Sequence, residues 1–140
     1  MKVNEPFVGT PCEIVIETSF PNIIEPEFYT TKYHIKNTAS SYICKFDYIR
    51  TAFVEDDKGE ISSSNKKKYE SEAVFNVPDE IINRFVNVLR KGFKKCEYII
   101  IDDGMFTITL TNELGEMFKY EDTYSGDHDE LTSIIEELND

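Results

Sequence analysis

The chain's 140 residues carry 27 acidic against 15 basic side chains, a formal net charge of −12, and 40% of them are hydrophobic, including ten Phe and eight Tyr. That length suits one domain with its own core, expected over residues 1–140, and the apolar supply excludes a disordered or fibrous chain. An acid excess of this size argues against a surface built for nucleic-acid phosphates and for one that attracts basic surfaces.

Targeting and staple chemistry are excluded on similar grounds. The stretch Met1 to Cys12 holds Glu5, two prolines and a glycine instead of an apolar signal core, and no run nears the roughly 18 apolar residues of a membrane helix. A cytoplasmic location is the expectation. Cys12, Cys44 and Cys96 are odd in number and far apart, without C-x-x-C spacing, so neither a disulfide framework nor a zinc site is expected.

In chain order, Glu13 to Phe20 reads as a strand with Ile14 and Ile16 on one face. Pro21 and Pro26 mark a loop after it. Phe28 to Lys36 alternates, with Tyr29, Thr31, Tyr33 and Ile35 on one side and Thr30, Lys32, His34 and Lys36 on a wet side. After a turn at Asn37 to Ser41, Tyr42 to Val54 is apolar on both faces and reads as a central strand. A turn cluster at Glu55 to Glu60 and a mobile loop tip at Ser62 to Lys68 precede another alternating run, Tyr69 to Val77. Pro78 and Asp79 then open a helix whose Ile82, Phe85, Val86 and Leu89 share one face, with Arg90, Lys91, Lys94 and Lys95 after it and Gly92 as terminator.

The remainder reads as a meander closed by a second helix. Glu97 to Ile101 is a strand, Asp102-Asp103-Gly104 a hairpin turn and Met105 to Thr111 a strand alternating apolar with threonine. Gly115 marks the next turn, and Met117 to Glu121 a strand with Phe118 and Tyr120 aligned. Asp127 and Glu130 have capping-box spacing, and Leu131, Ile134, Ile135 and Leu138 form an apolar helical stripe. The expected fold is α+β: a mostly antiparallel sheet of about seven strands with two helices on one face, in the order β-β-β-β-α-β-β-β-α.

The stretch from Val77 onward, through Asp103-Gly104, Phe106/Ile108/Leu110, Gly115, Tyr120 and Leu131/Leu138, resembles the C-terminal half of many short uncharacterised bacterial proteins. Those proteins often carry tryptophan at the Phe106 position and a glycine-asparagine turn before the last helix, and this chain has neither. The resemblance implies the element order and no activity.

Chemistry-bearing patterns are sparse. Asp127-His128-Asp129 reads as an acidic first helical turn before a metal or acid–base site, and Asp56-Asp57-Lys58-Gly59-Glu60 lacks the frame of a calcium loop. Nucleophile-elbow, phosphate-loop, dinucleotide and metalloprotease motifs are all missing. Neither cofactor nor metal is expected, and the balance leans against an enzyme. Charge is the distinctive feature: from Glu121 to Asp140 there are eight acidic residues and no Lys or Arg. Glu121, Asp122, Asp129, Glu130, Glu136 and Glu137 are therefore expected to form an outward acidic surface for a basic protein partner. The leading expectation is a small acidic binding protein that neutralises or regulates such a partner, most concretely an immunity-type inhibitor of a nuclease-like toxin. The alternative is a ligand-binding or enzymatic domain with a pocket on the open sheet face, near Tyr29, Tyr33 or His34.

Overall fold

A computed structural model of the chain describes residues 1–22, 27–55, 58–59, 61–95, 104–123 and 128–138. Seven strands lie in one sheet: β1 (Lys2–Val3), β2 (Pro11–Asn22), β3 (Glu27–Asn37), β4 (Tyr42–Glu55), β5 (Ile61–Val77), β6 (Met105–Asn112) and β7 (Met117–Thr123). Two helices, α1 (Asp79–Arg90) and α2 (Asp129–Glu137), follow β5 and β7. The spatial order is β1-β7-β6-β2-β3-β4-β5, with every neighbouring pair antiparallel except β1 and β7. The fold is thus α+β with a mostly antiparallel seven-stranded sheet and two helices. The strand expected at Glu97 to Ile101 and the turn residues Asp102 and Asp103 lie outside the described residues.

Because side chains alternate along each strand, the register sorts the sheet into two faces. One carries the rows Phe118–Leu110–Ile14–Ile35–Cys44–Phe75 and Tyr120–Ile108–Ile16–Tyr33–Phe46–Ala73. Against it pack the buried stripes of α1 (Ile82, Phe85, Val86, Leu89) and α2 (Leu131, Ile134, Ile135). Burying each such side chain contributes about 1.5–3 kcal/mol. The helices run antiparallel. Arg84, early in α1, pairs with Glu137 at the end of α2, whereas Phe93, just past α1, stacks on His128 at the start of α2.

The N-terminal lead forms a strap across the helix layer. Asn4 N–H donates to Lys119 C=O (2.9 Å) and Phe7 N–H to Leu89 C=O (3.2 Å). The Tyr120 hydroxyl donates to Glu5 C=O, and burial pushes that hydroxyl's pKa up to about 12. Phe7 is buried edge-on to Phe118, with ring centroids 5.0 Å apart.

Three local expectations are corrected. The serine- and lysine-rich Ser62 to Lys68 is not a loop tip, since β5 runs through it and pairs Lys66, Lys67 and Lys68 with Phe53, Ala52 and Thr51. Main-chain pairing of an edge strand needs no apolar side chain, which is why composition misled there. Pro21 lies within β2, opposite Phe28, instead of starting a loop. Helix α2 has His128, not Asp127, at its N-cap, without a side-chain capping bond. Gly104 meets two demands at once: its φ is +81°, and a Cβ there would come within 2.6 Å of the Phe20 ring.

Candidate functional site

The six acidic residues expected on one outward surface fall into four environments. Asp129, Glu130 and Glu136 are exposed on α2, turned away from its buried stripe. Glu137 joins them there but is held by Arg84 of α1, through contacts of 3.1 and 2.6 Å. That guanidinium keeps the Glu137 carboxyl below its ordinary pKa, first by hydrogen bonding. Glu121 belongs to the other face of the sheet, 3.6 Å from Lys119 Nζ.

Asp122 is not outward at all, which corrects the expectation for it. It is 2% exposed, on the helix-facing side of β7 in register with Phe106. Its Oδ1 accepts the Thr123 N–H at 2.8 Å, and its Oδ2 lies 2.7 Å from His128 Nε2. The His128 ring stacks on Phe93 (centroids 4.4 Å, planes 4° apart) and meets the edge of Phe106 at 5.7 Å. A carboxylate and an imidazole buried together satisfy each other, and the flanking rings supply aromatic contacts. The pair fastens the start of α2 to the end of β7, so the Asp127-His128-Asp129 run contributes a structural histidine.

The face of the sheet turned away from both helices holds a cavity of about 660 Å3. It is built from short triplets on adjacent strands: Glu17–Ser19 of β2, Thr30–Lys32 of β3, Asp47–Ile49 of β4 and Glu70–Glu72 of β5, with Met105, Thr107 and Lys45 at its margins. Alternation sends the middle residue of each triplet toward the helix side, so the flanking residues supply the lining side chains. Two rows result. Thr107–Glu17–Lys32–Asp47–Glu72 is almost wholly ionic, and Met105–Ser19–Thr30–Ile49–Glu70 mixes hydroxyls with two apolar side chains. The lining carries four carboxylates against two ammonium groups.

Placement within those rows matters. Lys32 stands between Glu17 and Asp47, with an acid directly across each neighbouring strand. Asp47 and Glu72 also stand directly opposite one another, an arrangement of like charges that weakens a sheet. Acid therefore collects at the β4–β5 side of the cavity.

A pocket on the open sheet face was expected near Tyr29, Tyr33 or His34, and the structure separates those residues. Tyr33 is 1% exposed in the core, packed on Phe46 at 4.8 Å. Tyr29 shares its side of β3 and lies 6.4 Å from Tyr48. His34 does face the open side, 3.1 Å from Glu13 Oε1, but does not line the cavity. The lining acids Glu17, Asp47, Glu70 and Glu72 were missed. Lys32 on the wet face of its strand was the available signal, and the strand register needed to gather the others is not written in local pattern.

Among the described residues, no three His, Cys, Asp or Glu side chains converge to hold a metal ion. Cys12 and Cys44 are free thiols, the latter buried and pushed up to about 11 by desolvation. No described helix is long and apolar enough to cross a membrane. No known family model, curated protein or solved structure matches the chain significantly.

Proposed function

We propose that this chain is a small acidic binding protein that neutralises or regulates a basic macromolecular partner, most concretely as an immunity-type inhibitor of a nuclease-like toxin. One observation carries the reading: α2 turns Asp129, Glu130 and Glu136 outward on a firmly packed helix, and the nearby cation Arg84 is engaged by Glu137. Such a surface offers fixed negative charge to a cationic protein at little conformational cost, and a net charge of −12 steers that protein toward it. The sequence carries no catalytic signature that would favour an enzyme.

The test is affinity capture with tagged protein in its own cells, followed by kinetics on the captured partner. A single basic protein is expected, whose association slows markedly as salt rises. Glu130→Lys with Glu136→Lys should weaken binding at least several-fold while the melting temperature moves by no more than a few degrees. A partner bound equally well by this variant across salt would overturn the role of α2.

The cavity on the open sheet face favours a second reading, a ligand-binding or enzymatic domain. Small-molecule sites are mostly apolar with a few placed polar groups. This lining carries six charged side chains among its fifteen residues, more fixed charge than a small-molecule site of a few placed polar groups, which suits the charged surface of a macromolecule better.

A further inference from the structure

We propose that the cavity on the open sheet face is a docking site for a cationic side chain, arginine or lysine, projecting from the basic partner. The inference rests on the basic-partner reading above and adds a second surface to it, on the side of the sheet opposite α2.

Both helices pack on one side, so among the described residues no element covers the other side of β2–β5, and there the sheet forms a concave, half-open cavity of about 660 Å3. A flat charged face would be a solvated surface and nothing more; a concave one removes water from whatever enters it and strengthens the electrostatic contacts made inside.

Charge sets the sign of the occupant. An anion approaching Lys32 would meet Glu17 on one neighbouring strand and Asp47 on the other. A cation approaching the β4–β5 side instead meets Asp47 and Glu72 directly opposite each other. A guanidinium or ammonium between those carboxylates would relieve their mutual repulsion, so it gains more there than beside an isolated acid. Lys45, two residues along β4 from Asp47, lies one row back from that position.

Apolar contacts set the length of the occupant. Ile49, half-buried, and Met105, 39% exposed, lie in the row beside the ionic one. The methylene stem of arginine or lysine can lie along Ile49, on the strand that also carries Asp47, while its charged head reaches the carboxylates; Met105, three strands or about 14 Å away, is left for a neighbouring residue of the partner. A bare metal ion would make no use of that apolar row, and a planar apolar ligand none of the carboxylates.

The experiment uses the full chain, 15N-labelled, with a hexa-arginine peptide as probe and the captured basic partner as the second arm. The peptide should produce saturable shifts in the amide signals of Asp47, Ile49 and Glu72. Asp47→Asn with Glu72→Gln should weaken the peptide and the partner by about tenfold or more. These near-isosteric changes at the sheet surface leave the fold intact, checked by unchanged signals from Phe106 and Leu131. Shifts confined to α2, or spread over the surface without saturation, would overturn the cavity as a docking site. So would a partner bound equally by wild type and Asp47→Asn/Glu72→Gln. If that partner still responds to Glu130→Lys/Glu136→Lys, the cavity proposal fails and the basic-partner reading stands. If neither variant changes any binding, both fail.

Discussion

Asn112 offers the sharpest test of how the termini of this sheet are held. It is 2% exposed at the end of β6, where the turn to β7 begins. Its Oδ1 accepts the N–H groups of Leu114 and Glu116, each at 3.0 Å, and its Nδ2 donates to Val8 C=O at 3.0 Å and to Glu116 Oε1 at 3.1 Å. One side chain thus shapes the turn and ties the N-terminal strap to it. Asn112→Ala removes three bonds to the main chain. Leu114 and Val8 are 76% and 61% exposed and the bonds to them are only part-buried, so the penalty for a fully buried orphan does not apply in full. Each bond is then worth about 0.5–1.5 kcal/mol, and the substitution should cost about 2–4 kcal/mol in all. Urea melts should show a lower midpoint at unchanged slope, with the melting temperature down by roughly 10 °C. Hydrogen exchange should quicken at the Leu114 and Glu116 amides before it does in α1. A loss below about 1 kcal/mol, or unchanged exchange at those amides, would show that the turn forms without this side chain.

Other outcomes follow from burial and charge. Phe85→Ala removes a ring that is 2% exposed beneath α1 and should cost about 3–5 kcal/mol in denaturant melts, a loss under about 1 meaning the core can collapse around it. In the folded protein a thiol reagent at pH 8 should modify exposed Cys12 quickly and buried Cys44 only after unfolding, as read by peptide mass mapping. Glu137 and Glu116 are held below their ordinary pKa of 4.5 by Arg84 and by Lys2, so their stabilisation is present above that value and lost as pH falls through the lowered one. Stability should therefore decline from about pH 4.5 downward, and Glu137→Gln should flatten the decline. At the alkaline end the neutral Cys44 thiol and Tyr120 hydroxyl are the favoured forms. Stability should fall as pH rises from 9 for the thiol and from 10 for the hydroxyl, toward about 11 and 12.

Local pattern carried the elements well where one face is buried. The period-two runs in β2, β3 and β6 and the helical stripes of α1 and α2 each have an apolar set that only one geometry buries, and Phe85, Leu89, Phe106 and Ile108 are all core residues. Pattern failed where pairing alone decides. Lys2–Val3 is too short to show a period and is a strand only because β7 lies beside it. The early part of β5 is held by its register with β4 and not by its own composition. Asp122 is instructive because its burial was legible: Phe118 and Tyr120 already marked the core side of β7, and the same alternation places Asp122 there. Acidity was read as exposure, whereas His128 supplies the partner that makes a buried carboxylate tolerable. The cavity was not legible, since its lining comes from residues on five strands that only the long-range register unites.

The division of the acidic residues changes what charge can mean here. With Asp122 buried and Glu121 on the open side, the acids of α2 and those of the cavity face opposite directions across a sheet and a helix layer. Layers of this kind pack about 10 Å apart, and at physiological salt the Debye length is about 8 Å, so neither surface strongly feels the other's field. Long-range attraction of a basic protein reflects the whole net charge and is set by both surfaces together. Short-range retention reflects only the surface in contact. Both variants should lower the association rate at low salt in proportion to the charge they remove: from the net −12, Glu130→Lys/Glu136→Lys leaves −8 and Asp47→Asn/Glu72→Gln leaves −10, so the reversal should slow arrival more. Only at the docking face should the dissociation rate rise, since only there are charges desolvated against the partner. Comparing the two rate constants for Glu130→Lys/Glu136→Lys and Asp47→Asn/Glu72→Gln thus separates steering from docking. Dissociation rates unchanged from wild type in both variants would mean that the partner grips neither surface, whatever the salt dependence of its arrival.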